Sequence, residues 1–174
     1  MKRILWPVAY IAGVVLANVL TERYGLVWAP FGLLTTAGTY AAGFVLVARN
    51  FTQDAVGRRW VLALMAAGVL LSWWLASPQL AIASGVAFGL SELADMAVYT
   101  PLRRRGRSRA VAVASTIGAV VDTFVFLWLA GFPLSAAPGQ LVVKVGMALL
   151  AALIVKGVRS SSTSETPSPA PSKP

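Results

Sequence analysis

Three ionisable side chains lie inside long apolar stretches of the sequence, where a charge is costly. Glu92, Asp122 and Lys144 each belong to a stretch that is otherwise mostly apolar. An ionised side chain at the centre of a membrane helix costs about 2.5–3.5 kcal/mol, so three facing lipid singly would cost roughly 8–10 kcal/mol. That sum approaches the whole stability of a small protein. We therefore expect the three side chains to face a protein interior or a wet cavity, and one another.

Further polar and aromatic side chains accompany these charges at helical spacing. Glu92, Asp95 and Tyr99 are spaced i, i+3, i+7 and so share one helical face, and Gln140 lies one turn before Lys144. The side chains that we expect to line a substrate cavity are polar or aromatic and lie within the apolar stretches or at their ends: Glu92, Asp122, Lys144, Asn18, Asp95, Tyr40, Ser115, Phe126 and Tyr99.

A simpler interpretation of the same charges is structural. Lys144 would pair with Asp122 and lock two helices together, which leaves Glu92 and Asp95 without a partner. A surplus of acid in a membrane cavity is typical of a proton-coupled or base-recognising site. We favour the functional interpretation, and leave open whether Lys144 pairs with Asp122 or contacts the substrate.

The elements that must position these side chains are six apolar stretches. The chain has 174 residues, of which 57% are hydrophobic and 12% charged, whereas a soluble domain carries about 25% charged residues. Each stretch has the length, about 20 residues, that crosses a bilayer as a helix. The sequence predicts an all-α polytopic membrane protein with one domain, residues 1–158, and a disordered Ser/Pro-rich cytoplasmic tail, residues 159–174. The six stretches are Ile4–Leu20, Val27–Ala48, Trp60–Ala76, Gln79–Tyr99, Ala110–Gly131 and Gly139–Val158.

The distribution of positive charge predicts the orientation. Of the fifteen Lys and Arg residues, thirteen fall on one side of the six stretches, Arg23 falls on the other, and Lys144 lies within a stretch. By the positive-inside rule both termini are cytoplasmic, in a cell (inner) membrane. The basic loop Arg103–Arg109 is interpreted as an orientation signal that rests on anionic lipid headgroups, and not as a nucleic-acid interface.

Composition also narrows the chemistry. The sequence contains no cysteine and no histidine, which excludes disulfides, thiolate or imidazole metal sites and histidine acid–base catalysis. It has no GxxxxGK[ST], HExxH or GxSxG motif. We expect no cofactor and no enzymatic activity. An aspartate-only intramembrane enzyme and a purely structural membrane subunit are the minor alternatives.

Four segments carry a resemblance to a known family. They are Ala17–Leu20, Arg49–Arg58, Ser91–Tyr99 and Ser115–Phe126, the last with the arrangement Ser-x₆-Asp-Thr-x-x-Phe. Together they resemble the vitamin-uptake (VUT) family, which contains the queuosine-precursor transporters. The resemblance spans about Ile4–Val158, nearly the whole chain short of the tail.

The resemblance implies uptake of 7-deazaguanine bases such as preQ0 and preQ1. A guanine-like edge offers an N–H and an amino group, which a carboxylate could accept together. The ring of Tyr40, Tyr99 or Phe126 could stack on the base. Lys144 or Asn18 could donate a hydrogen bond to its carbonyl. The rival is the substrate-binding subunit of a vitamin importer that a separate ATPase energises. The preferred deazapurine, the coupling ion and the oligomeric state, including a homo-oligomer, stay open.

Overall fold

Long helices joined by short connections make up most of the chain. The computed structural model describes residues 2–102, 104, 107–147 and 150. A two-stranded hairpin separates the first two helices, and a 3₁₀ turn, Leu134–Ala136, precedes the last. In chain order the described elements are α1 (Lys2–Tyr24), β1 (Leu26–Ala29), β2 (Leu33–Thr36), α2 (Thr39–Val56), α3 (Arg58–Leu75), α4 (Pro78–Leu102), α5 (Arg107–Leu129) and α6 (137–147).

The hairpin corrects the prediction of a single helix over Val27–Ala48. Residues 26–36 form antiparallel strands, with Leu26 opposite Thr36 and Ala29 opposite Leu33. Pro30 cannot donate a helical hydrogen bond, and Phe31 and Gly32 after it have φ 65° and φ 70°. A short apolar run fits a strand as well as a helix, so its pattern alone could not separate the two. The fold is therefore mainly helical rather than all-α.

Three of the described helices are long and apolar enough to cross a membrane. They are Ile4–Tyr24, Arg58–Leu75 and Pro78–Leu102, and a shorter apolar helix covers Val113–Leu129. Apolar side chains on their outer faces are left uncovered, as with Trp74, which is 84% exposed. Apolar surface of this extent suits lipid and not water. The chain is a multi-pass membrane protein.

The helices pack through one apolar cluster that joins α1 to α4. Tyr10 and Val14 of α1 meet Val45 of α2, Met65 of α3 and Phe88 of α4. A second cluster holds the hairpin against the end of α5 and the start of α6, and its buried members are Leu127, Ala136 and Ala137. The two clusters leave polar side chains between them, and these form the cavity described below.

Glycines allow two close backbone approaches next to this cavity. A Cβ on Gly38 would overlap the carbonyl oxygen of Ala17, and a Cβ on Gly139 would overlap the carbonyl oxygen of Leu34. The first contact joins α2 to α1 and the second joins α6 to β2. Any larger residue would force backbone apart at these points, because a carbonyl cannot swing away like a side chain.

Some predictions concern residues that the structure does not describe. The Ser/Pro-rich tail, residues 159–174, and residues 151–158 of the sixth predicted span lie outside the described residues, as do Arg103 and Arg105 of the basic loop. Of the predicted sixth span, Gly139–Val158, the structure therefore describes residues 139–147 and 150.

Candidate functional site: a polar cavity between the helices

Polar side chains from α1, β2, α2, α4, α5 and α6 converge on a cavity of about 90 Å³. A single water needs roughly 10–15 Å³ on a comparable measure, so the cavity has room for several water molecules. Apolar side chains, among them Val14, Met65, Phe88 and Phe126, complete its walls. Its polar lining consists of Asn18, Thr21, Thr36, Thr39, Arg49, Ser84, Asp122, Gln140 and Lys144.

Lys144 and Asp122 form an ion pair across α6 and α5. The Nζ of Lys144 lies 2.7 Å from Oδ2 of Asp122, 2.8 Å from Oγ1 of Thr123 and 3.3 Å from Oε1 of Gln140. The ammonium thus has an acceptor for each of its three hydrogens, and Lys144 is only 4% exposed. The structure confirms the pairing that the sequence left open.

The same pair leaves part of Asp122 available. Its side chain is 26% exposed and lines the cavity. Only Oδ2 is bound by Lys144, and Oδ1 has no hydrogen-bond partner among the described residues. A carboxylate oxygen can accept two hydrogen bonds, so Asp122 retains accepting capacity inside the cavity.

A chain of hydroxyl groups ties this wall to the hairpin. Gln140 donates from Nε2 to Oγ1 of Thr36 at 3.0 Å. The hydroxyls of Thr36 and Thr39 lie 2.9 Å apart, and Thr35 donates to Thr39 at 2.9 Å. Because Gln140 also accepts from Lys144, the network runs without a break from α6 through β2 to α2.

Asn18 crosslinks α1 to two further helices. Its Nδ2 donates to Oγ of Ser72 on α3 at 3.0 Å, and its Oδ1 accepts from Oγ of Ser84 on α4 at 2.6 Å. Asn18 is buried at 2% exposure. Its amide therefore serves first to join helices, although Asn18 also lines the cavity.

Glu92 lies apart from the Asp122–Lys144 pair, which corrects the expectation that the three charges face one another. It forms an ion pair with Arg49 and a longer one with Arg58, at 3.5 Å. Glu92 is buried and is not part of the cavity lining. The expectation that an Asp122–Lys144 pair would leave Glu92 unpartnered was wrong, because two arginines reach it.

Arg49 is the charged residue of the cavity lining that the sequence interpretation missed. It lines the cavity, pairs with Glu92 through Nη2, and lies over the ring of Phe88 at 5.8 Å, within the range of a cation–π contact. Its Nε is buried without a hydrogen-bond partner among the described residues. The sequence hid this role because the predicted second helix ended at Ala48, which assigned Arg49 to a loop.

The other predicted site residues divide into two groups. Phe126 lines the cavity and packs against Phe132, with ring centroids 6.5 Å apart. Four lie outside the described lining, and Tyr40, at 39% exposure, is among them. The four are Tyr40, Asp95, Tyr99 and Ser115. Helical spacing placed them near polar neighbours but could not fix which way each helix turns.

No group of three or more acidic, histidine or cysteine side chains suited to a metal ion occurs among the described residues. What the cavity offers instead is a mixed set of hydrogen-bond donors and acceptors between aromatic walls. This is the composition of a site for a small polar molecule. With the apolar helices around it, the arrangement is that of a multi-pass membrane protein with a polar cavity among its helices.

Comparison with known proteins agrees with that class. The sequence matches the family described as "Putative vitamin uptake transporter" over residues 3–158. The chain belongs to this family of membrane transporters for vitamin-like substrates, which confirms the resemblance drawn from the sequence motifs. No curated protein and no solved structure gave a match.

Proposed function

We propose that the protein imports a 7-deazaguanine base, a queuosine precursor of the preQ0/preQ1 type, through the polar cavity. The observation that carries the proposal is the state of Asp122. Lys144 holds one of its carboxylate oxygens, the other has no hydrogen-bond partner among the described residues, and Asp122 lines the cavity. A guanine-like edge presents an N–H and an amino group side by side, which is the pattern that such a carboxylate accepts.

The donor for the base carbonyl is Arg49 in this proposal, in place of Lys144 or Asn18. Lys144 already donates its three hydrogens to Asp122, Thr123 and Gln140. The guanidinium of Arg49 uses Nη2 for Glu92 and has further N–H groups. Glu92 acts through Arg49, by holding the guanidinium at the cavity.

The aromatic contact is assigned to Phe126, because it lines the cavity. Tyr40 and Tyr99, which we expected as stacking partners, lie outside the described lining, as do Asp95 and Ser115. A planar base gains affinity by burying its faces against such rings. The proposal therefore gives direct contacts to Asp122, Arg49 and Phe126.

The transport proposal includes an arrangement in the membrane. We propose that the chain crosses the inner membrane six times and that both termini lie in the cytoplasm. The positive-charge distribution supports this orientation. The hairpin of β1 and β2 then lies on the outer side, where Trp28 is exposed.

Complementation tests the substrate. The chain is expressed in a bacterial strain that cannot make preQ0 and lacks its own transporter, and queuosine is measured in the tRNA after preQ0 is supplied. Queuosine should appear with the wild-type chain. It should be lost with Asp122→Asn or Glu92→Gln, while both variants still reach the membrane. Normal queuosine in both variants would contradict the assigned site.

Proteoliposomes separate the proposal from its rival. Purified chain alone should accumulate labelled base when an ion gradient is imposed. Uptake that requires a co-purified ATPase would favour a substrate-binding subunit of an ATP-driven importer. Uptake by the chain alone would exclude that subunit role.

A further inference from the structure

The charges around the cavity are already neutralised by the protein. Asp122 forms an ion pair with Lys144, and Glu92 forms ion pairs with Arg49 and Arg58. Among the described residues that line the cavity, the ionisable side chains are Arg49, Asp122 and Lys144, two cations and one anion. No described carboxylate at the cavity therefore lacks a cation.

This balance matters because a buried charge needs a partner. Moving an ion out of water is unfavourable unless an opposite charge and hydrogen bonds replace its hydration. A ligand with an ammonium group would find the negative charge of Asp122 already balanced by Lys144. Displacing Lys144 is costly, since it is buried at 4% exposure and would lose three acceptors at once.

A cationic ligand would also be repelled by Arg49. Arg49 lines the same cavity as Lys144, so a cationic ligand would approach two positive side chains. An uncharged ligand meets neither problem. It can use the free oxygen of Asp122 as an acceptor and the remaining N–H groups of Arg49 as donors.

We propose that the paired charges of the cavity select an uncharged base over one with a cationic substituent. This inference rests on the proposed function and narrows it. Of the two deazaguanines, the 7-cyano base preQ0 is uncharged, whereas the 7-aminomethyl base preQ1 carries a primary ammonium near neutral pH. The cavity accepts the first and discriminates against the second, and Lys144 is the positioning residue that sets this preference.

Calorimetry on the purified full-length chain in detergent tests the inference, with preQ0 and preQ1 as the two probes at pH 7. The wild-type chain should bind preQ0 at least roughly tenfold more tightly than preQ1, the effect of one uncompensated charge interaction. In Lys144→Met the carboxylate of Asp122 loses its cation, so the preference should shrink or reverse. Arg59→Met, which removes an exposed charge, should keep the wild-type preference.

The two affinities of the wild-type chain test the preference for the uncharged base even if Lys144→Met does not fold. Lys144→Gln provides a second replacement, one that can still form hydrogen bonds. Equal binding of the two bases, or tighter binding of preQ1, would overturn the inference but leave the proposed function standing. A preference unchanged in a folded Lys144 variant would remove the role given to Lys144. Binding of neither base would contradict the proposed function itself.

Discussion

At the scale of single residues, the ion pair of Lys144 with Asp122 shows how the membrane interior shapes a site. Lys144 is nearly fully buried, yet each of its hydrogens has an acceptor. Such a pair contributes little net stability, because desolvation offsets the attraction. Its effect is to fix the position of Asp122 at the cavity wall.

Replacing one partner of the Asp122–Lys144 pair should destabilise the protein more than replacing both. Asp122→Asn leaves Lys144 without its anion and should destabilise the protein by about 3 kcal/mol. Asp122→Asn combined with Lys144→Met removes both charges and should recover much of that loss. Thermal unfolding of the purified variants in one detergent would measure this. A double variant as unstable as the single one would argue against an isolated, coupled pair.

Arg49 should matter far more for transport than the exposed Arg59. Arg49→Gln removes a charged donor at the cavity, a hydrogen bond worth about 1.5–3 kcal/mol, so uptake of the base should fall roughly 10- to 100-fold. Arg59→Gln is the matched control, since Arg59 is exposed and makes no ion pair among the described residues.

Initial uptake rates in proteoliposomes, normalised to inserted protein, would compare the two variants. The control should stay within about twofold of wild type, as expected for an exposed charge. If Arg49→Gln transported as well as Arg59→Gln, the role of Arg49 as substrate donor would be refuted.

At the scale of elements, two backbone contacts hold the hairpin and the helices around the cavity. Gly38 packs against the backbone of Ala17, and Gly139 against that of Leu34. The second contact brings β2 beside α6, where Thr36 meets Gln140. The position of the hairpin and that of the Lys144 network therefore depend on each other.

Substitution of Gly139 should expose this dependence. Gly139→Ala would place a methyl group on the carbonyl of Leu34 and should destabilise the protein by about 1–3 kcal/mol. Gly146→Ala, in the same helix with no atom within 4 Å of the added Cβ, should be neutral or stabilising by up to about 1 kcal/mol. Unfolding midpoints of the two variants in detergent would give the comparison. Equal midpoints would mean that α6 and β2 are not in close contact.

At the scale of the whole molecule, the proposed orientation can be tested without first removing a native cysteine. The chain contains no cysteine, so each introduced cysteine is the only thiol. Gln53→Cys, near the end of α2, should lie on the cytoplasmic side, and Ser135→Cys, before α6, on the outer side; both native residues are exposed.

A membrane-impermeant maleimide applied to intact cells should label Ser135→Cys and leave Gln53→Cys unlabelled until the membrane is opened. This expectation follows from the thirteen cations placed on the cytoplasmic side. The reverse pattern would show the opposite orientation, and labelling of both in intact cells would contradict the proposed crossings between them.

The sequence by itself determined the class of the protein. The hydrophobicity of a stretch depends only on its own residues. Long apolar stretches therefore identify membrane helices before it is known which other helices they pack against. The cost of burying a charge is equally local, which is why Glu92, Asp122 and Lys144 could be expected to face away from lipid. The family resemblance rests on local motifs too, and residues 3–158 match that family.

Only the tertiary structure decided which charges meet. Glu92 pairs with Arg49 and Arg58, while Asp122 pairs with Lys144, and nothing in the spacing within one helix fixes a partner on another. Residues 26–36 form a hairpin, where the sequence predicted part of a helix. A short apolar run fits either a strand or a helix, so its packing has to be known before the two can be told apart. Pairing depends on how the helices rotate and pack, and that is a property of the assembled fold.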